Sequence, residues 1–183
     1  MKKQNLLVLT GLVFLAIAAW LYFKPNRPES PTVPLSEEII IQEEGMVKKN
    51  GEEIQPMTAE EIEKIREEIN SVLAVGGEET ELKTLLGSQA GGKAKRAFSD
   101  GKFYFKVDAF NLSLPEKGYY YQGWLRKGTD YLSIGRLELT SGGQGVVYYT
   151  ASADRSNYSE TVITLEPEDG DPQPAKAVLE GAF

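Results

Sequence analysis

The sequence predicts a mainly β protein: an immunoglobulin-like antiparallel β-sandwich, preceded by one transmembrane helix and one short amphipathic helix. Three observations lead there. Leu6 to Phe23 is a run of 18 residues without a charge. Thr58 to Gly77 carries the apolar spacing and end signals of a short helix. From Glu81 onward, short alternations of apolar and polar residues are separated by clusters of turn-forming residues, the pattern of a small all-β domain.

The uncharged run comes first. At about 1.5 Å per residue it spans ~27 Å, close to the thickness of a bilayer's hydrocarbon core. Trp20 and Tyr22 stand at its far end, where aromatic rings favour the membrane interface. Ala16-Ile17-Ala18 resembles a signal-peptidase site, but the apolar run continues past it to Phe23, so an uncleaved anchor over 6–23 is expected. Lys2 and Lys3 favour a cytoplasmic tail of residues 1–5 and an extracytoplasmic remainder at the cell membrane. Over 24–36, Pro25, Pro28, Pro31 and Pro34 recur every third residue, which favours an extended stalk.

Residues 37–79 form an acidic linker. Residues 35–79 hold 13 acidic and 4 basic side chains, whereas residues 80–183 hold 13 and 12. The near-neutral C-terminal part lacks the basic face that nucleic acid requires, so no nucleic-acid partner is expected. Asn50-Gly51 is a hairpin signal between Met46-Val47 and Ile54; a small hairpin and a linker both remain open there. The helix is expected over 59–73. Thr58 and Glu61 have the spacing of a capping box, and Ile62, Ile65, Ile69 and Val72 make one apolar face before Gly76-Gly77. That face needs a partner, which the β-domain or the Ile39–Ile41 knot would supply, with another protein's groove as the alternative.

The β-domain is expected over 80–183, with strands at 81–86, 92–98, 102–108, 118–127, 131–139, 145–152, 160–166 and 176–180. Phe103, Phe105 and Val107 alternate with Tyr104 and Lys106, and Thr161, Ile163 and Leu165 repeat the pattern. Strand 118–127 is ambiguous, because both of its faces mix aromatic and polar groups. Trp124 is expected to pack the sandwich core, with a ligand platform as the alternative.

The chain has no Cys and no His, which excludes disulfides, zinc sites built on those residues, and Ser-His-Asp triads. Pairs such as Asp108 with Glu116, or Asp130 with Glu138, have no spacing that selects them for acid–base chemistry, so no catalytic residue is assigned. Glu166, Glu168, Asp169 and Asp171 surround Gly170. Their spacing departs from the EF-hand pattern, and a rigid hairpin turn is expected there. No metal or other cofactor is implied. Asn111-Leu112-Ser113 and Asn157-Tyr158-Ser159 match the N-glycosylation pattern, which matters only in a host with that pathway.

Several residues follow a recognisable order: Leu114-Pro115, then Tyr121-Gln122-Gly123-Trp124-Leu125, then Thr164-Leu165-Glu166-Pro167, then Gly170 and Pro174. This order resembles the C-terminal extracytoplasmic domain of the anti-sigma-K factor family, with its Leu-Pro, its "YQxWL" strand and its late "TxEPxxGxxxP" hairpin. The resemblance covers 82–183. It implies a regulatory β-sandwich held on one membrane helix, with these motif residues in structural roles. The sigma-binding cytoplasmic domain of the family has no counterpart in the sequence, so a sigma factor is not the expected partner. The expectation is a regulatory or sensory module with a protein partner in the envelope or membrane. A structural or adhesive surface module, binding an envelope polymer or ligand, is the alternative.

Overall fold

The computed structural model describes residues 57–183 in full and, before them, the backbone of 38–41, 46–47 and 55–56. The anchor, stalk and tail expected over 1–36 lie outside the described residues. Among the described residues, no helix is long and apolar enough to cross a membrane. Ser36–Phe183 forms one compact unit.

The elements in chain order are β1 (Glu38–Ile41), β2 (Met46–Val47), β3 (Gln55–Pro56), α1 (Ala59–Val75), β4 (Glu78–Thr84), β5 (Gly91–Ser99), β6 (Lys102–Phe110), β7 (Tyr119–Lys127), β8 (Asp130–Arg136), β9 (Glu138–Leu139), β10 (Gly145–Ala151), β11 (Glu160–Pro167) and β12 (Lys176–Ala182). The protein is mainly β, with one helix among the described residues. The spatial order of strands is β3-β2-β1-β10-β6-β5-β4-β12-β11-β7-β8, antiparallel throughout, with β9 on β10. An immunoglobulin-like sandwich would divide these strands between two sheets. Here the ladder runs unbroken from β10 to β8 and curls until β8 lies beside β10.

The seam is joined at one end. The Leu137 N–H bonds Tyr121 on β7 at 2.9 Å, while the next two residues pair with Gly145 and Val146 on β10. The chain thus crosses from one side of the seam to the other within three residues. A short residue makes this approach possible. A Cβ on Gly123 would lie 2.9 Å from Ile134 of β8 and 3.4 Å from Val147 of β10.

The main core fills the inside of the curl. Phe103, Phe105, Val107 and Ala109 of β6 face it, with Val147 and Tyr149 of β10, Leu125 of β7, Ile163 of β11 and Leu179 of β12. Phe103 meets the Tyr149 ring edge-on at 6.2 Å. Each such side chain contributes roughly 1.5–3 kcal/mol on burial.

A second, smaller core lies on the outside. Ile69 and Leu73 of α1 cover Tyr104, with Ile65, Val72, Ala97 and Tyr148 packed around them. The helix begins as its sequence requires: Thr58 Oγ1 accepts the Glu61 N–H at 3.2 Å, and Glu61 accepts the Thr58 N–H at 2.8 Å. Its apolar face is met by the β-domain. β2 pairs antiparallel with β3, which is the hairpin alternative for 46–56; Asn50-Gly51 itself lies outside the described residues.

Candidate interaction surface at the loop end

Antiparallel order brings four connections to one end of the curled sheet: residues 85–90, 111–118, 137–144 and 168–175. Backbone and side-chain bonds tie them together. The Leu85 N–H bonds Val178 at 3.0 Å, the Glu168 N–H bonds Gly118 at 2.8 Å, and the Leu112 N–H bonds Gly143 at 2.9 Å. Asn111 turns the chain in the left-handed region at φ 54° and donates its amide to Gln89 O at 3.1 Å. Leu112 then points inward and closes the core at this end.

The motif residues concentrate at the same end. Trp124 donates its indole N–H to Thr164 Oγ1 at 2.8 Å. The Thr164 hydroxyl donates to Glu166. Both oxygens of Glu166 accept the Ala175 N–H, at 3.0 and 3.1 Å. Trp124, Thr164 and Glu166 are all buried. The chain therefore staples the long β11–β12 connection, residues 168–175, onto β11 just after Pro174. Tyr121 faces the core and donates its hydroxyl to Ser113 O at 3.0 Å, holding the loop that carries Leu114 and Pro115. Gln122 donates to Ser133 Oγ at 3.0 Å, and Leu125 is fully buried in the core. Pro167 ends β11 opposite Tyr119, and Gly170 turns the chain at φ 79°.

The geometry decides which face of β7 turns inward, and the carboxylates around Gly170 take part in the turn expected there. Trp124 is buried but stands on the outer face of β7, opposite Val162, while Tyr121 and Leu125 supply the inward face. Its ring meets Tyr131 edge-on at 6.2 Å. The physical reason is alternation along the strand: with Tyr121, Gly123 and Leu125 facing in, Trp124 faces out. Of the carboxylates around Gly170, Glu166 is engaged by Ala175, Asp169 accepts the Asp171 N–H at 2.9 Å, and Asp171 accepts the Gln173 N–H at 2.9 Å. They build turns.

The end also carries exposed apolar side chains. Leu114 is 60% exposed and Leu85 53%, with Leu86 also exposed in the same connections and Tyr119 exposed at the start of β7. The four connections hold Glu116, Glu138, Glu168, Asp169 and Asp171 against one cation, Lys117, with Arg136 at the end of β8 pairing with Glu168 at 3.5 Å. The motif singled out Leu114, but in a structural role, and its exposure is a finding of the structure. Leu85 and Leu86 were not singled out, because the sequence places them in a strand and only the sheet's end makes them surface. The conceivable acid–base pairs are separated: Asp108 bonds Lys106 at 2.9 Å, Glu138 pairs with Arg66, and Asp130 accepts the Tyr158 hydroxyl at 3.0 Å.

Two groups with perturbed titration meet under the helix. Glu68 accepts from Lys102 Nζ and from the Tyr104 hydroxyl, each at 2.9 Å. The Lys102 hydrogen bond, above all, holds the Glu68 carboxyl below its ordinary range. Burial, then the Glu68 bond, pushes Tyr104 up to about 12. These shifts belong to helix docking, since both groups lie between α1 and β6.

Compared with protein-family models, curated proteins and solved structures, the chain matches none. The likeness to the anti-sigma-K C-terminal domain rests on the motif residues alone.

Proposed function

We propose that this chain is a membrane-tethered, extracytoplasmic β module that acts by protein–protein contact, as a regulatory or sensory partner in an envelope circuit. The observation that carries this reading is the group of exposed leucines, Leu85, Leu86 and Leu114, set among carboxylates at the loop end. Exposed large apolar side chains gathered at one end of a sheet, in connections rich in carboxylates, mark a candidate contact surface. The surrounding acidic charge favours a partner with apolar anchors flanked by Lys or Arg, and disfavours an anionic lipid surface. The motif residues support the reading in a second way. They staple and orient the loops that present this surface, so the resemblance to the anti-sigma-K domain falls on the same end of the molecule. The partner is not expected to be a sigma factor.

The experiment compares full-length protein with its Leu86→Asp/Leu114→Asp variant. Each is crosslinked in native membranes, purified and read by mass spectrometry, with thermal melting as a folding control. The expected result is a stoichiometric partner captured by the original chain and lost by the variant, at an unchanged melting temperature. Capture of the same proteins by both would overturn the assignment of this end as the contact surface.

A further inference from the structure

A second feature lies on the outer wall of the sheet and reaches the connection 137–144. A cleft of about 440 Å³ runs across β6, β9 and β10, lined by Asp108, Phe110, Glu138, Thr140, Gln144 and Tyr148 among others. Its size is that of a small-ligand site. We propose that this cleft binds a neutral, hydroxyl-rich ligand of the oligosaccharide class.

The first argument is charge. Both carboxylates in the cleft are matched, Asp108 by Lys106 at 2.9 Å and Glu138 by Arg66 of α1. With the two charges balanced locally, neither an anion nor a cation gains much by entering. A neutral ligand with many hydroxyls gains, because a carboxylate oxygen accepts from one hydroxyl while a carboxamide or hydroxyl both donates and accepts. Asp108, Glu138, Gln144 and Thr140 present that mixture around one space.

The second argument is shape. Phe110 is 46% exposed, yet its ring is seated against Gly91, where a Cβ would meet the ring at 2.9 Å. An aromatic ring supported on one side and open to a polar cleft offers a flat apolar face. A pyranose has the matching asymmetry, with C–H groups on one face and hydroxyls around its edge.

The third argument is rigidity. The Thr140 N–H bonds Gln144 O at 2.8 Å, the Gly143 N–H bonds Thr140 O at 3.0 Å, and the Gln144 N–H bonds Thr140 Oγ1 at 3.2 Å. Tyr148 is flanked by Arg66 and Lys106, 5.6 and 5.3 Å from its ring centre. Groups held in place before binding lose little entropy when a ligand arrives.

The test is titration of the full-length protein in detergent micelles with chitotetraose, cellotetraose and maltotetraose, followed by saturation-transfer NMR and calorimetry. At least one of the three should bind saturably. Phe110→Ala and Gln144→Ala should each weaken that binding by about tenfold, the scale of one lost aromatic or hydrogen-bonding contact. Melting temperatures should be unchanged, since both side chains are exposed. Phe110→Tyr should retain binding, and Leu86→Asp/Leu114→Asp should not affect it, which separates this site from the leucines of the loop end. No saturable binding to any of the three, or binding that survives both alanine substitutions undiminished, would overturn the proposal.

Discussion

Trp124, Thr164 and Glu166 come from two strands but act through one chain of hydrogen bonds that ends on the Ala175 N–H. Thr164→Val keeps the shape and removes the hydroxyl that links the other two. It leaves the buried indole N–H without its acceptor, and a loss of about 1–3 kcal/mol is expected in chemical denaturation. Trp124→Ala removes the buried ring as well, and about 3–5 kcal/mol is expected. Glu166→Gln is the more telling variant. It preserves size and an acceptor oxygen, so the global melting temperature should move little. Hydrogen exchange at the Ala175 amide should nonetheless accelerate, because a neutral acceptor holds that N–H less strongly. An unchanged exchange rate would mean the staple does not depend on charge. Gly143 illustrates a different constraint. It sits at φ 74°, and a Cβ there would fall 2.3 Å from Leu112 O. Gly143→Ala should destabilise the protein by at least ~1–3 kcal/mol from the backbone conformation alone, seen as a lower denaturation midpoint.

At the scale of elements, α1 is held by a small apolar face and by the pair of Glu68 bonds to Lys102 and Tyr104. The pH dependence follows from the two directions of shift. Glu68 titrates lower in the folded protein than its ordinary 4.5. Its contribution is therefore complete above that value and is lost as pH falls through the depressed one. Tyr104 titrates upward from 10.0 to about 12. Its contribution is complete below 10.0 and is lost as pH rises toward that raised value. Helix docking, read by the NMR shifts of Ile69 and Leu73 methyls, should weaken in acid and again in strong base. Glu68→Gln should flatten the acid limb. An acid limb that persists in Glu68→Gln would assign the effect to another carboxylate. The strands themselves matched their sequence expectations closely, because alternation and turn residues are local. The expected strand over 131–139 is instead two, β8 and β9, broken at Leu137. The core-facing positions slip by one residue, from Leu132 and Ile134 to Leu137 and Leu139, as the hydrogen-bond partner changes from β7 to β10, and the three-residue step from Ile134 to Leu137 marks that break.

At the scale of the compact unit, one curled sheet carries both functional candidates, the leucines of the loop end and the cleft across β6, β9 and β10, and the connection 137–144 belongs to both regions. Curling depends on close approaches that a side chain would prevent. Besides Gly123 at the seam, a Cβ on Gly181 would meet Glu81 O at 2.4 Å, where β12 passes β4. These glycines could be counted in the sequence, but their neighbours could not. The same holds for the surfaces. Leu85 and Leu86 belong to a connection between strands, and their exposure follows from its position at the end of the sheet. Asp108 and Glu138 lie 30 residues apart and line one cleft because β6 and β9 both flank β10.

Local chemistry by itself determined the capped helix, the eight principal strand segments and the turn at Gly170. Each depends on residues near one another in the chain, through periodicity, capping or turn propensity. Only the tertiary structure decided that the strands form one curled ladder, that Trp124 faces outward while Tyr121 and Leu125 face in, and which carboxylates share a cleft. Strand order and facing are set by long-range pairing and by the space left between strands, and a single residue's identity carries neither.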